Sequence, residues 1–209
     1  MAANATELLA GLRGSAADRV LPGVGAVCGW HAALYEGCRV PVRGYIGHLR
    51  GDPTVAELVG YEVGVGPEAP DGYPEKMGVW SVLLPDAVDG LLAATHAALT
   101  RLDEILPVGV RPASVDELDA VVGLTARVHG EWVRLHPFAN GNGRIARVWA
   151  AWLAVRYGLP VFVTVKPRPD DLAYARAARD SMGRPPDFAG DHQTATAVFA
   201  HLLTLTLLP

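Results

Sequence analysis

Cysteine is scarce in this sequence: there are two in 209 residues, Cys28 and Cys38. So few thiols build neither a disulfide framework nor a cysteine-based zinc site, and they fit a reducing compartment such as the cytoplasm. Charge is sparse as well. Charged residues make up 19% of the chain, and the formal net charge is -4 with histidine neutral. A general nucleic-acid binder, or a protein held on an anionic membrane, needs a positive excess that is missing here. The start, Met1 to Leu12, has neither a basic cluster nor an apolar run, so it does not read as a secretory signal. The most apolar stretch, Ala195 to Leu208, is too short to span a bilayer and is interrupted by His201 and several threonines. It reads as a buried or subunit-contacting helix. There is no internal repeat and no low-complexity linker. No Gly-Lys-Ser/Thr follows any glycine-rich turn, which excludes a Walker loop, and Gly23-Val24-Gly25 lacks the spacing of a dinucleotide fingerprint.

What is present fits one domain, since 50% of the residues are hydrophobic and the chain is long enough to bury a core without staples. Val27, Trp30, His31 and Leu34 have helical spacing, with Gly37 as a stop. From Arg39 to Gly72 glycine and proline become frequent. Two β-prone runs, Val42 to Leu49 and Leu58 to Val65, flank Gly51-Asp52-Pro53, which predicts a β-hairpin flap at about 42–66. Asp86 to Leu106 carries a single apolar stripe and reads as a helix. The next helix has a clear start, because Ser114 and Glu117 form a capping box. Leu118, Val121, Val122, Thr125, Val128, Trp132 and Leu135 give it a buried face, and it stops before Pro137. A second helix follows from about Arg144 to Tyr157, so that 114–157 is a helix-loop-helix. Val161 to Val165 is a short extended run, and Asp171 to Met182 and Gln193 to Leu208 complete a mainly α domain.

The chemistry lies between His136 and Arg147, in His-Pro-Phe-Ala-Asn-Gly-Asn-Gly-Arg-Ile-Ala-Arg. Gly141 and Gly143 let the backbone turn tightly and approach a ligand. A helix starts at once, and its first N–H groups, unpartnered and at the positive end of the helix dipole, suit a phosphate. Arg144 and Arg147 share a face there and can grip phosphate oxygens. His136 stands just before the loop, with an ordinary pKa of about 6.5 that suits a general base. A base, an anion cradle and two cations are what transfer of a phosphorus-containing group to a hydroxyl requires. Trp132, Trp149 and Trp152 recur at helical spacing and read as core. His129 shares a helix face with His136 and reads as a core or surface histidine. Lys166, Arg168, Asp170 and Asp171 form a surface loop that can border the pocket.

At these residues the sequence resembles the Fic family (filamentation induced by cAMP), whose motif reads His-x-Phe-x-Asp/Glu-Gly-Asn-Gly-Arg-x-x-Arg. His136, Phe138, Gly141, Asn142, Gly143, Arg144 and Arg147 match it. Trp30-His31 to Leu34-Tyr35 and Gly47-x-Leu49-Arg50 look like the family's early helix and the start of its flap. Tyr174 looks like the tyrosine of the helix after the motif, which helps line a nucleotide base pocket in relatives. The resemblance spans 24–209, leaving 1–23 as an N-terminal segment, and implies a Fic-type helical bundle. It further implies transfer of AMP from ATP to a protein hydroxyl, with His136 taking the hydroxyl proton. Gly141, Asn142 and Gly143 would cradle phosphates, Arg144 would hold the outer ones, and Arg147 would support the loop. Phe138 would anchor the loop, Gly47, Leu49 and Arg50 would hold the target segment, and Mg²⁺ would neutralise phosphate charge.

One position departs from the motif. Asn140 stands where the family has an acid that helps hold Mg²⁺, so it is either a weaker, uncharged metal ligand or simply the turn former. The family's inhibitory Ser/Thr-x-x-x-Glu-Gly/Asn segment has no full match, since Ala32 to Glu36-Gly37 lacks the hydroxyl residue. Three activities stay open from the sequence. They are transfer of AMP or a related nucleotide to a protein, action on a small molecule or another phosphate-bearing donor, and non-catalytic nucleotide binding. A homodimer or a separate inhibitory partner is compatible with each.

Overall fold

A computed structural model describes residues 1–208. Seven α-helices and one two-stranded sheet follow in the order α1 (Ala2–Ala17), α2 (Val24–Tyr35), β1 (Gly64–Glu68), β2 (Pro74–Met77), α3 (Leu84–Ile105), α4 (Val115–Leu135), α5 (Asn142–Arg156), α6 (Leu172–Asp180) and α7 (Gln193–Leu207). The mainly helical class expected from the sequence is what forms.

The centre is the α4–α5 pair. The Ser114 hydroxyl accepts the Glu117 N–H, and the Glu117 carboxylate accepts the Ser114 N–H in return, so α4 starts at the predicted capping box. α5 is buried nearly all round, with Trp149, Trp152, Ile145 and Leu153 enclosed. It can be so because α1, α2 and α4 all pack against it. Trp149 meets Trp30 edge-on at 5.0 Å and Trp152 at 5.8 Å, so the tryptophans are core, as their spacing predicts. α6 and α7 close the far side of α4. The stretch Ser81–Ile105 is long and apolar enough by length and composition to cross a membrane. Here, however, α3 buries Leu84, Val88, Leu92, Thr95, Leu99 and Leu102 within the domain.

Two features depart from the sequence reading. Residues 2–17 form a helix, α1, whose Ala5, Leu12 and Ala16 enter the main core. The Asn4 amide donates to the carbonyls of Ala33, Leu34 and Glu36, covering the end of α2. Ala- and Gly-rich helices carry only a weak apolar stripe, which is why periodicity passes over this one.

The hairpin is also displaced. It spans Gly64–Met77, with Gly64 opposite Met77 and Val65 opposite Lys76. Most of 42–66 is irregular and holds two 3₁₀ turns, Arg43–Tyr45 and Ala56–Leu58. Gly47, Gly51 and Gly60 all take positive φ there, which breaks the extended runs. Asp52 folds the chain back by accepting the Thr54 N–H at 2.8 Å.

Arg50 lies at the centre of that irregular segment and is 1% exposed. Its guanidinium donates to the carbonyls of His136 (2.7 Å), Val79 (2.7 Å), Tyr61 (3.1 Å) and Leu135 (3.2 Å), and to Glu62 (2.8 Å). It is therefore a buried brace and not a surface target-binding residue. Glu62 in turn accepts from the Ser81 N–H and hydroxyl. Truncating one partner of such a buried pair strands the other. Arg50→Met is expected to lower the unfolding free energy by about 3–5 kcal/mol, read as the shift of the urea midpoint at constant m.

Candidate active site

α4 ends at His136, which takes the left-handed conformation (φ 53°, ψ 54°). This is uncommon for a residue with a Cβ. The carbonyl it turns inward is the one Arg50 Nε holds, and Gly78 packs so closely that a Cβ there would meet the His136 Cβ at 2.6 Å. His136 Nδ1 donates to the Val133 carbonyl at 3.1 Å, which leaves Nε2 as the free lone pair. Burial, aided by the charge of Arg50 and partly opposed by the Val133 bond, holds its pKa down at about 4. His136 is thus a neutral base with a fixed tautomer.

The loop that follows is braced at nearly every peptide. The Arg50 N–H donates to the Pro137 carbonyl at 2.7 Å. The Asn142 side chain accepts the Phe138 N–H (2.8 Å) and donates to the Phe138 carbonyl (2.7 Å), gripping one residue from both sides. Phe138 is fully buried, as an anchor should be. His31 Nδ1 accepts the Gly47 N–H at 3.0 Å, so its Nε2 carries the proton and donates to the Asn140 carbonyl at 3.0 Å. The His31 ring also stacks on Phe138 at 4.0 Å. Gly141 takes φ +88°, and a Cβ would lie 2.8 Å from the Tyr35 hydroxyl, so two constraints demand glycine there. α5 then begins. No protein group accepts from the Asn142 or Gly143 N–H among the described residues. These two donors are the ready anion site.

A cleft of about 510 Å³ opens in front of this turn, lined by His136, Gly143, Arg147 and Tyr174, with Val65 of β1, Arg168, and the Arg176 and Arg179 side of α6. Five of the residues singled out from the sequence, His136, Gly143, Arg147, Arg168 and Tyr174, therefore meet in one place. Arg147 is 6% exposed and gives Nε to the Val165 carbonyl (3.1 Å) and one amino group to the Tyr174 hydroxyl (3.3 Å). Its other amino group has no protein partner among the described residues. Tyr174 is itself bound to the buried His129 at 2.9 Å, so its hydroxyl belongs to a His129–Tyr174–Arg147 chain, and His129 is a core residue.

Other residues lie elsewhere. Arg144 points away from the cleft and donates to the Tyr35 hydroxyl at 2.5 Å. Asn140 is exposed, and its Oδ1 accepts the Gly141 N–H at 2.6 Å, so its carbonyl is engaged in making the turn. Gly47, Leu49 and Arg50 line a separate cavity with Val24, Cys28 and Pro85. A target-holding role for that segment is not what this placement favours; the hairpin strand that reaches the cleft is β1. Sequence reasoning missed the bracing work of His31, Glu62 and Gly78. All three act on residues far away along the chain, and the only local signal was a histidine on an otherwise apolar helix face.

Three histidines resist protonation in the fold: burial first of all lowers His31 to about 4, His129 to about 3 and His136 to about 4. The unfolded chain protonates them near pH 6.5, so between these values it binds more protons than the folded one. Stability is therefore expected to fall as pH drops from about 6.5 toward 4. The melting temperature of His129→Gln should fall less steeply over that range than that of wild type; parallel curves would contradict this account.

The comparisons agree with the geometry. The Fic/DOC family model matches residues 25–154. No curated protein matches the sequence. A Fic domain containing signaling protein from Bacteroides thetaiotaomicron VPI-5482 has a TM-score of 0.64 at 17% identity, covering 97% of this chain and 68% of that one. The N-terminal Fic domain of a VirB-translocated effector protein from Bartonella sp. AR 15-3 has a TM-score of 0.56 at 15% identity, covering 99% and 82%. At these identities the likeness speaks for the fold, and the family match, which spans more than half the chain and includes the whole of the His136–Arg147 motif, speaks for the family. The chain belongs to the Fic/DOC family, which includes transferases that modify proteins.

Proposed function

We propose that this protein moves AMP, or a related nucleotide, from a nucleoside triphosphate to a hydroxyl of a target protein. The observation that carries the reading is the pairing of a neutral His136, its Nε2 free, with an unpartnered helix N-terminus and Arg147 beside one cleft. In the reaction, the acceptor hydroxyl oxygen attacks the α-phosphorus while His136 Nε2 takes its proton. The bond from phosphorus to the bridging oxygen breaks, and pyrophosphate leaves with that electron pair. The Asn142 and Gly143 N–H groups and Arg147 supply fixed donors to the phosphate oxygens. Arg144 joins them only by leaving Tyr35. β1 lies at the cleft with all its residues exposed, which suits an added target strand.

The resident residues offer little to a divalent cation. The sole candidate ligand on the loop, Asn140, is uncharged and engaged with Gly141, and no group of three or more His, Cys, Asp or Glu side chains converges among the described residues. The mechanism above therefore uses only the chain's own groups.

Incubating wild type and His136→Ala with a nucleotide panel and cell lysate, then searching for adducts by mass spectrometry, tests the reading. AMP on protein hydroxyls is expected from wild type, and about 10²- to 10⁴-fold less from His136→Ala. Altered nucleotide with no protein adduct would instead favour a small-molecule acceptor. Nucleotide bound and unchanged by both forms would favour a non-catalytic binder. The pH profile is a separate check. A base that protonates at about 4 stays active through pH 6, so the acidic limb of kcat/KM is expected well below the ordinary histidine value of about 6.5. A limb centred at that ordinary value would contradict a half-buried His136 held neutral.

A further inference from the structure

Four arginines line the cleft, Arg147, Arg168, Arg176 and Arg179, and no carboxylate does. They are not equivalent. Arg179 is neutralised by Glu75 of β2. Arg176 lies on the exposed rim, 4.0 Å from Asp180. Arg147 is buried and spends two of its groups on Val165 and Tyr174, without meeting a carboxylate. Arg168 forms no ion pair, and no side-chain hydrogen bond, among the described residues. Arg147 and Arg168 line the same cleft beside Tyr174, whose hydroxyl accepts from Arg147.

A polyphosphate in such a site has to have its charge met by something fixed. Mg²⁺ on a nucleotide takes most of its oxygens from the phosphates and water, but it is normally tied to the protein through one or two carboxylates. This loop offers one neutral amide oxygen that already accepts a hydrogen bond. Guanidinium groups, in contrast, are permanently charged and match phosphate geometry in pairs. The cleft therefore has cations where a metal-dependent site would have acids.

Resting on the nucleotide reading above, we propose that this cleft binds the phosphate chain as a metal-free polyanion, its charge met by Arg147 and Arg168, with Arg168 the residue that determines this preference. Arg168 is exposed at the cleft and braces nothing, so replacing it leaves the core intact.

Calorimetric titration of ATP into the full chain, once in EDTA and once in Mg²⁺, tests the inference without relying on activity. Wild type is expected to bind metal-free ATP within about threefold of its affinity for the Mg²⁺ complex. Arg168→Gln is expected to lose about tenfold or more of the metal-free affinity, as for a lost charge-assisted contact, while Arg176→Gln on the rim loses much less. Asn140→Asp is expected to weaken metal-free binding and to make Mg²⁺ favourable. Wild-type binding that needs Mg²⁺, or an Arg168→Gln affinity equal to wild type, overturns the inference and leaves the transferase reading standing. Equal losses in Arg168→Gln and Arg176→Gln overturn the assignment to Arg168. Absence of ATP binding in both buffers overturns the nucleotide reading, and this inference with it.

Discussion

The site depends on one guanidinium. α4 must end inside the protein for His136 to stand at the cleft, and a buried helix end leaves carbonyls without donors. Arg50 meets those of Leu135 and His136, reaches Tyr61 and Val79, and is balanced by Glu62, which also ties down Ser81. A positive group at a helix C-terminus is favoured by the helix dipole as well. The left-handed turn at His136 costs about 1–2 kcal/mol for a residue with a Cβ. The Arg50 bonds, the Trp132 carbonyl that accepts the His136 N–H, and the fit of Gly78 offset it. Lysine does not substitute here, because the partners diverge around a planar fork.

From that fixed point the loop is built by bonding most of its peptides while leaving two that matter free. Pro137, Phe138 and Asn140 each have their carbonyl bonded by Arg50, Asn142 or His31. The Asn142 and Gly143 N–H groups are left over because they stand at the start of α5, where geometry provides no acceptor. Preorganisation of this kind is what makes backbone donors useful to a reacting phosphate, since nothing has to reorient when charge develops. His31 contributes by being unable to carry charge: its Nδ1 is taken by a donor, Gly47, and its Nε2 proton by an acceptor. A protonated His31 would face the Gly47 N–H with another N–H.

How much of this was legible follows the distance over which each interaction acts. The capping box of α4 is a three-residue pattern, and it formed as read. The His136–Arg147 motif concentrates its chemistry in twelve consecutive positions, and its central features, the helix break, the glycine turn and the new helix, are local. The hairpin was misplaced because β1 has no alternation to read. Its residues, Gly-Val-Gly-Pro-Glu, are all exposed, and pairing with β2 alone holds them. The β-prone run from Val42 to Leu49 is interrupted by Gly47 at positive φ and spends apolar side chains on the body of the domain. Arg50 was expected to hold the target segment, a surface task that suits an arginine, since arginine is seldom buried. Its partners lie up to 86 positions away, and no pattern in one sequence reports that.

The charges around the cleft sort themselves by the same logic. The hairpin is joined to the far wall through Glu75 with Arg179, Asp71 with Arg184, and Lys76 with the Met182 carbonyl, and the Met77 N–H meets the Gly183 carbonyl. Two of the hairpin's carboxylates, Glu75 and Asp71, are thus matched by arginines outside the turn at His136. What faces the anion site is the unmatched remainder, Arg147 from α5 and Arg168 from the loop before α6, together with the N-terminus of α5. Asn140 completes this arrangement, since an acid at its position would place a negative charge beside the same N–H groups that a phosphate needs, unless a cation came with it. On the proposed reading, neutrality at Asn140 and the free charge at Arg168 are two halves of one electrostatic solution, in which fixed guanidinium groups would hold the phosphate chain.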